Sequence, residues 1–314
     1  MTRVATFGNY QTALLNLMNT QIKANDAQER VSTQKNATDL VGFGRQSETL
    51  TALKGSSARL QGFLDTSNSV AARLTSQDLA MNRVGEGTEG IRSALGNAIA
   101  ADTSVGLMTE LEGLFQSVRG GLNTKHQGNY LFAGSSVDVE PLAAQTMSDL
   151  TTGPLAAQFR NDSLKTASRV AEGTTLETGV LASDLGTDTL AILRDIQVFH
   201  EGPQGPLSGK LTEPQKTFLT SQLTLLEQAG KAVTEKTAMT GAQANQVDTL
   251  IASHKDQIAS LDGLVADRTD ADMLKAVTDL QLSQVAIQAS AQVISQLRSE
   301  ERRVGKECRS RWPP

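Results

Sequence analysis

Cysteine and tryptophan occur once each in this chain, as Cys308 and Trp312, both within its last seventeen residues. Residues 1–297 therefore hold no thiol that could form a disulfide, ligate a metal or act as a nucleophile. That absence fits a reducing cytosol and fits equally a protein exported without disulfides. Proline is scarce at seven, and aromatics are 4% of the 314 residues. The 39% hydrophobic fraction consequently falls mostly to Ala, Leu and Val, a composition of long helices more than of a compact enzyme core. Positive charge is also in deficit, since 29 Lys and Arg face 34 Asp and Glu for a formal charge of −5, which argues against a nucleic-acid partner. No apolar run approaches the ~20 residues of a membrane span, so no membrane insertion is expected. The opening MTRVATFGNY lacks the apolar centre of a cleavable export signal.

Chemical motifs are equally sparse. Gly85-Glu-Gly-Thr-Glu-Gly90 matches the GxGxxG spacing, but that fingerprint binds a dinucleotide only between a strand and a helix. Here it follows Leu79–Val84 in a helical pattern, so a helix break or a close helix crossing is the expectation. His126, His200 and His254 are far apart and lack the HExxH spacing that puts two imidazoles on one helix face. His200-Glu201 runs into Gly202-Pro203, which ends a helix. No GxSxG elbow is present. Asn36-Ala-Thr38 and Asn161-Asp-Ser163 fit the N-glycosylation triplet, a pattern frequent by chance. No catalytic, cofactor or metal residue is assigned, and an enzyme is not expected.

What the chain does have is a repeated apolar spacing at both ends. Phe7, Tyr10, Leu14, Leu17, Gln21, Ala24, Gln28 and Val31 recur at alternating steps of three and four, and so do Met273, Val277, Leu280, Gln284, Ile287, Ala291 and Ile294. Such steps place side chains on one stripe of a helix, the seam that a coiled coil buries. Two stripes at opposite ends need each other or further copies of the protein as partners. The plainer alternative is that they form the core of a monomeric bundle. The apolar members, Phe7, Tyr10, Leu14, Leu17, Ala24, Val31, Met273, Val277, Leu280, Ile287, Ala291 and Ile294, are the candidate assembly interface.

Between the stripes, residues 46–100 are free of proline and carry helical spacing, enough for one or two helices of about 80 Å if continuous. Another helix is expected over Val105–Leu122. From Val137 to about Gly186 short β-compatible pieces, Leu155–Phe159 and Thr174–Leu181 among them, alternate with Thr, Ser, Gly and Asp, which predicts a small β-rich module. Gly202–Gly209 is a loop, and helix resumes from Pro214. The fold class expected is mainly α, an elongated antiparallel helical rod or coiled coil with a small inserted β-rich domain. The segments are terminal coiled-coil helices at 1–40 and 265–297, a helical rod at 41–135 and 211–264, and an outer β-rich module with its connecting loop at 136–210.

Residues 298–314, RSEERRVGKECRSRWPP, form a further segment. It ends the apolar stripe after Leu297 and sets six basic residues against three acids. It resembles the translated read-through of a sequencing-library adapter, so a non-native tail is expected; a solvated basic tail is the alternative. Without it, twenty-three basic residues face thirty-one acidic ones, a charge of −8.

Four stretches carry a family resemblance. Gln28–Asn36, QERVSTQKN, resembles the N-terminal signature of the bacterial flagellin family, with Gln34 where the family usually has Gly. Thr240–Val247, TGAQANQV, and Asp270–Leu297 resemble the family's return and C-terminal helices. Gly128–Gly134, GNYLFAG, with Pro141-Leu142, is similar to its hook–filament junction members, the hook-associated proteins. The resemblance covers about Arg3–Ser135 and Leu211–Leu297. It implies a non-enzymatic structural subunit joining hook to filament, with filament flagellin as the alternative within the family and a soluble helical coiled-coil adaptor as the alternative outside it. It also implies self-association through the terminal helices, neighbouring hook-associated and flagellin subunits, and an export chaperone. The implied location is the extracellular flagellum, reached without a cleaved signal.

Overall fold

The computed structural model describes the backbone of residues 2–310 and side-chain surroundings from Tyr10 to Gln296. The chain is mainly helical. Its elements are α1 (Thr2–Thr33), α2 (Ser47–Ala100), α3 (Leu107–Leu122), β1 (Lys125–His126), β2 (Asn129–Tyr130), β3 (Ala167–Ala171), β4 (Thr174–Glu177), α4 (Ala182–Glu201), α5 (Glu213–Thr269) and α6 (Met273–Ser310). Compact packing divides the chain into two units, residues 1–58 with 259–314, and residues 59–258, so the division falls inside α2 and α5.

In the first unit α1 and α6 pack side by side. They run antiparallel, because the chain leaving α1 pairs with the turn that enters α6 through an antiparallel bridge between Lys35 and Asp270. Leu50, at the start of α2, is fully buried.

The second unit holds the main core. Its parts of α2 and α5 are antiparallel, with Thr240 against Met81 and His254 against Phe63. The core joins Met81, Ile91 and Leu95 of α2 to Leu111, Phe115 and Leu122 of α3, with Leu190 and Leu193 of α4 and Leu219 and Leu226 of α5. Burying each such side chain contributes about 1.5–3 kcal/mol. The glycines of the GxGxxG match do not break α2. They let α3 approach it: a Cβ at Gly87 would stand 2.6 Å from Val118 Cγ2, and one at Gly90 2.6 Å from Leu114 Cδ2. Gly121 answers from α3, where a Cβ would lie 3.0 Å from the Ala80 carbonyl oxygen. Of the two expectations, the close crossing is what forms.

The β content of the insert is small. β3 and β4 form one antiparallel hairpin, and β1 and β2 a two-residue-per-strand hairpin. Two readings of the insert need correction. Leu155–Gln158, part of an expected β piece, is a 3-10 helix after Pro154, because proline fixes φ and the Ala-Ala that follows has no branched side chain to favour a strand. Ala182–Glu201, within the expected module and loop, is a twenty-residue helix. Its buried positions Ala182, Leu185, Thr189, Leu193 and Ile196 keep a three-and-four spacing, a signal diluted by the intervening Asp, Thr and Gly.

Candidate assembly surface

The α1–α6 pair separates two kinds of apolar residue onto two faces. Tyr10, Ala13, Leu17, Thr20, Ala24, Ala27 and Val31 of α1 are buried or half-buried, at unbroken steps of three and four. On α6, Ala276, Leu280, Ser283, Ile287, Ser290 and Ile294 do the same. This is a coiled-coil seam within one chain, and most of its members are small: Ala24, Ala27, Ala276 and Ser283 are its most buried residues. Small side chains bury little area, so the seam aligns the helices without strong stabilisation.

The large apolar residues stand elsewhere. Leu15, Met18 and Ile22 are 60%, 51% and 57% exposed, and they sit on the side of α1 away from its seam. Leu274, Leu282, Val285 and Val293 of α6 are exposed as well. Scattered single apolar residues on a surface are ordinary, whereas these recur at helical spacing on two packed helices.

The sequence-derived interface residues divide between these faces. Tyr10, Leu17, Ala24 and Val31, with Leu280, Ile287 and Ile294, lie in the intrachain seam. Leu14, Met273, Val277 and Ala291 are exposed at its flank. Phe7 lies outside the described side chains. The outer ridge of Leu15, Met18 and Ile22 is not among the sequence-derived residues, although it too keeps steps of three and four, one residue away from the Leu14 stripe.

A backbone clamp fixes the base of the helix pair. Gln34 ends α1 with φ +57, its amide on the Arg30 carbonyl at 2.9 Å, a left-handed helix stop. Its own carbonyl accepts the Ala271 amide at 2.9 Å, and the Asn36 amide donates to Thr269 O at 2.7 Å. Asn36 Nδ2 adds a bond to Asp270 O at 2.9 Å. The Lys35 ammonium pairs with the Asp270 carboxylate, which, with a hydrogen bond from Thr269, holds that carboxyl below the usual range. The QERVSTQKN motif is thus the element that docks α1 to the α5–α6 turn.

GNYLFAG has a different role, inside the second unit. Gly128 and Gly134 bracket it with φ +90 and +72, conformations that favour glycine. Between them Leu131, Phe132 and Ala133 are buried. Phe132 O accepts the first amide of α4, from Ala182, at 2.9 Å. Pro141-Leu142 follows, with Asn123 accepting the Leu142 amide at 2.9 Å and donating to its carbonyl at 3.0 Å. The motif anchors the base of the insert between α3 and α4.

Among the described residues no group of His, Cys, Asp and Glu is arranged to hold a metal ion, and no helix is long and apolar enough to cross a membrane. The histidines serve separate local contacts: His126 Nδ1 with Ser76 Oγ at 2.9 Å, His200 Nδ1 accepting the Leu207 amide at 3.1 Å, and His254 with Val170 O at 2.8 Å.

Comparison with known proteins bears on the helical ends. Residues 223–304, which take in most of α5 and most of α6, match the bacterial flagellin C-terminal helical region. These residues are similar to the C-terminal helices of bacterial flagellins. The flagellin match reaches past Leu297 into residues 298–304. Among curated proteins none matches the chain. Solved structures share the fold. A Vibrio parahaemolyticus protein described as a flagellar hook-associated protein superimposes with a TM-score of 0.58 at 18% identity, covering 71% of this chain and 97% of its own. Bacillus cereus FlgL gives 0.55 at 15% identity, covering 68% and 99%. Xanthomonas campestris FlgL gives 0.53 at 13%, covering 68% and 99%.

Proposed function

We propose that this chain is a structural subunit of the bacterial flagellum that joins hook to filament. It is built in through α1 and α6, and it is not an enzyme. The observation that carries this reading is the division of the helix pair: a small-residue seam used up within the chain, and ridges of Leu15, Met18, Ile22, Leu282 and Val285 left uncovered. Repetition of one heterologous contact from subunit to subunit generates a helical tube, and a tube wall would cover those ridges. Further copies of this chain, hook-associated neighbours and flagellin are the partners, and an export chaperone shields the same ridges beforehand. The candidate interface accordingly keeps Leu14, Met273, Val277 and Ala291 at its edge and gains the outer ridge. The segment 298–314 is read as a non-native tail, although the flagellin match runs into its first seven residues; sequencing of adapter-free genomic DNA tests this directly.

Immunogold labelling of whole cells, with deletion of the coding sequence, tests the function. Label confined to the hook–filament boundary, and cells that shed filaments from intact hooks, are expected. Label along the whole filament would favour filament flagellin, a reading supported by the flagellin C-terminal match. Absence from sheared appendages would favour a helical adaptor.

A further inference from the structure

Strands β3 and β4 make a hairpin of two short strands, and such a hairpin is marginal in water unless it rests on something else. Here it rests on α2 and α5 within the second unit. Val170 is fully buried and packs with Val70 and Leu74 of α2 and Val247 of α5, while Leu176 is only partly buried against the same cluster. The polar attachments all end on backbone carbonyls. His254 Nε2 lies 2.8 Å from Val170 O, and a carbonyl only accepts, so the ring donates. Gln243 Nε2 donates to Glu177 O at 2.8 Å, and Gln77 Nε2 to Thr178 O at 3.1 Å.

Each of two helices thus offers a side chain that is only half satisfied. Gln77 Oε1 and His254 Nδ1 are buried without a hydrogen-bond partner, and so is Thr178 Oγ1 at the end of the hairpin. A buried polar atom left unpaired forfeits its hydration and regains it when the structure opens. Lifting the hairpin gives up one fully buried apolar side chain, Val170, and returns those polar atoms to water. The main core around Ile91, Phe115 and Leu193 is apolar and fully buried, so opening it brings no such return.

We propose that the hairpin is a lid, hinged at Thr166 and Gly179, that lifts as one piece from the α2–α5 pair while the helices stay folded. Lifting uncovers the apolar strip of Val70, Leu74 and Val247. The Thr178 and Gly179 amides both donate to Thr166 O at 3.0 Å, which closes the lid on itself at the hinge. Gly179 lets the two ends pass, since an added Cβ there would stand 2.3 Å from the Thr166 amide nitrogen. Lys165 and Asp184, paired at 3.4 Å, hold the chain next to the hinge on α4.

Native-state amide exchange of the full chain at pH 7, corrected for intrinsic rates and followed through rising sub-denaturing urea, tests this with Phe115 of α3 as reference. The β3–β4 ladder amides should share one protection factor, at least about a hundredfold below that of Phe115, and should barely respond to urea, because a lifting lid exposes little surface. Ladder amides with the protection and urea response of Phe115 would show that the hairpin opens only with the whole unit, and ladder amides with unrelated factors would show that it frays; either overturns the proposal. Thr178→Val keeps the backbone bonds and removes an unpaired hydroxyl, so it should raise ladder protection by about tenfold and leave Phe115 unchanged. Ladder protection unchanged or lowered in that variant overturns the assigned cause of the opening.

Discussion

The carbonyl of Gln34 accepts the amide of Ala271 at 2.9 Å, and it does so from a backbone turned to φ +57. A left-handed conformation costs an L-residue about 1–2 kcal/mol, and glycine adopts it freely at the expense of a more flexible unfolded chain. Gln34→Gly should therefore stabilise the docking of α1 on the α5–α6 turn by about 0.5–1 kcal/mol. Gln34→Val should weaken it by more. Amide exchange of Asn36 and Ala271, whose hydrogen bonds report the clamp, measures both.

The same clamp should respond to acid. The Asp270 carboxyl is held low first by the Lys35 ammonium and then by Thr269. A carboxyl depressed in the folded state adds stability above its unfolded value, near 3.9, and loses it as pH falls through the lower folded value. Asn36 and Ala271 amides should keep their protection from pH 7 to about 5 and lose part of it below about 4. Asp270→Asn should abolish that step and leave a weaker clamp at neutral pH.

Two glycines of α3 should behave oppositely. Nothing lies within 4 Å of a Cβ added at Gly113, whereas one at Gly121 meets Val84 Cγ2 at 2.7 Å and the Ala80 carbonyl oxygen at 3.0 Å. Gly113→Ala should stabilise the second unit by about 0.5–1 kcal/mol through helix propensity. Gly121→Ala should destabilise it by about 1–3 kcal/mol, since a backbone atom must shift. Thermal unfolding of the two variants against the parent separates the effects.

Much of this architecture can be read from residue spacing. The long helices follow from proline-free stretches with apolar steps of three and four, and the close α2–α3 crossing from Gly87 and Gly90. Harder to read was which stripe faces which neighbour. Leu14 and Ala13 are adjacent, and a hydrophobicity pattern favours Leu14; packing chose Ala13 because a closely packed antiparallel pair admits small residues at its seam. Helix α4 stayed hidden because Asp184, Gly186 and Asp188 interrupt an otherwise regular apolar pattern. His254 was readable only as a lone histidine, since its partners Phe63 and Val170 are remote in sequence.

The most direct measurement of the central claim is incorporation of a ridge variant at the hook tip. Met18→Asp places a carboxylate on a side chain that is 51% exposed in the free chain, so the monomer should unfold at the parent temperature. In a tube wall that carboxylate would be buried without a partner, at a cost of several kcal/mol per contact. Ala27→Leu, at a seam position 2% exposed, should instead loosen the α1–α6 pair already in the monomer. Cells carrying Met18→Asp should export the protein and shed their filaments into the medium. Motile cells with Met18→Asp incorporated at the parent level would contradict the assembly role of this face.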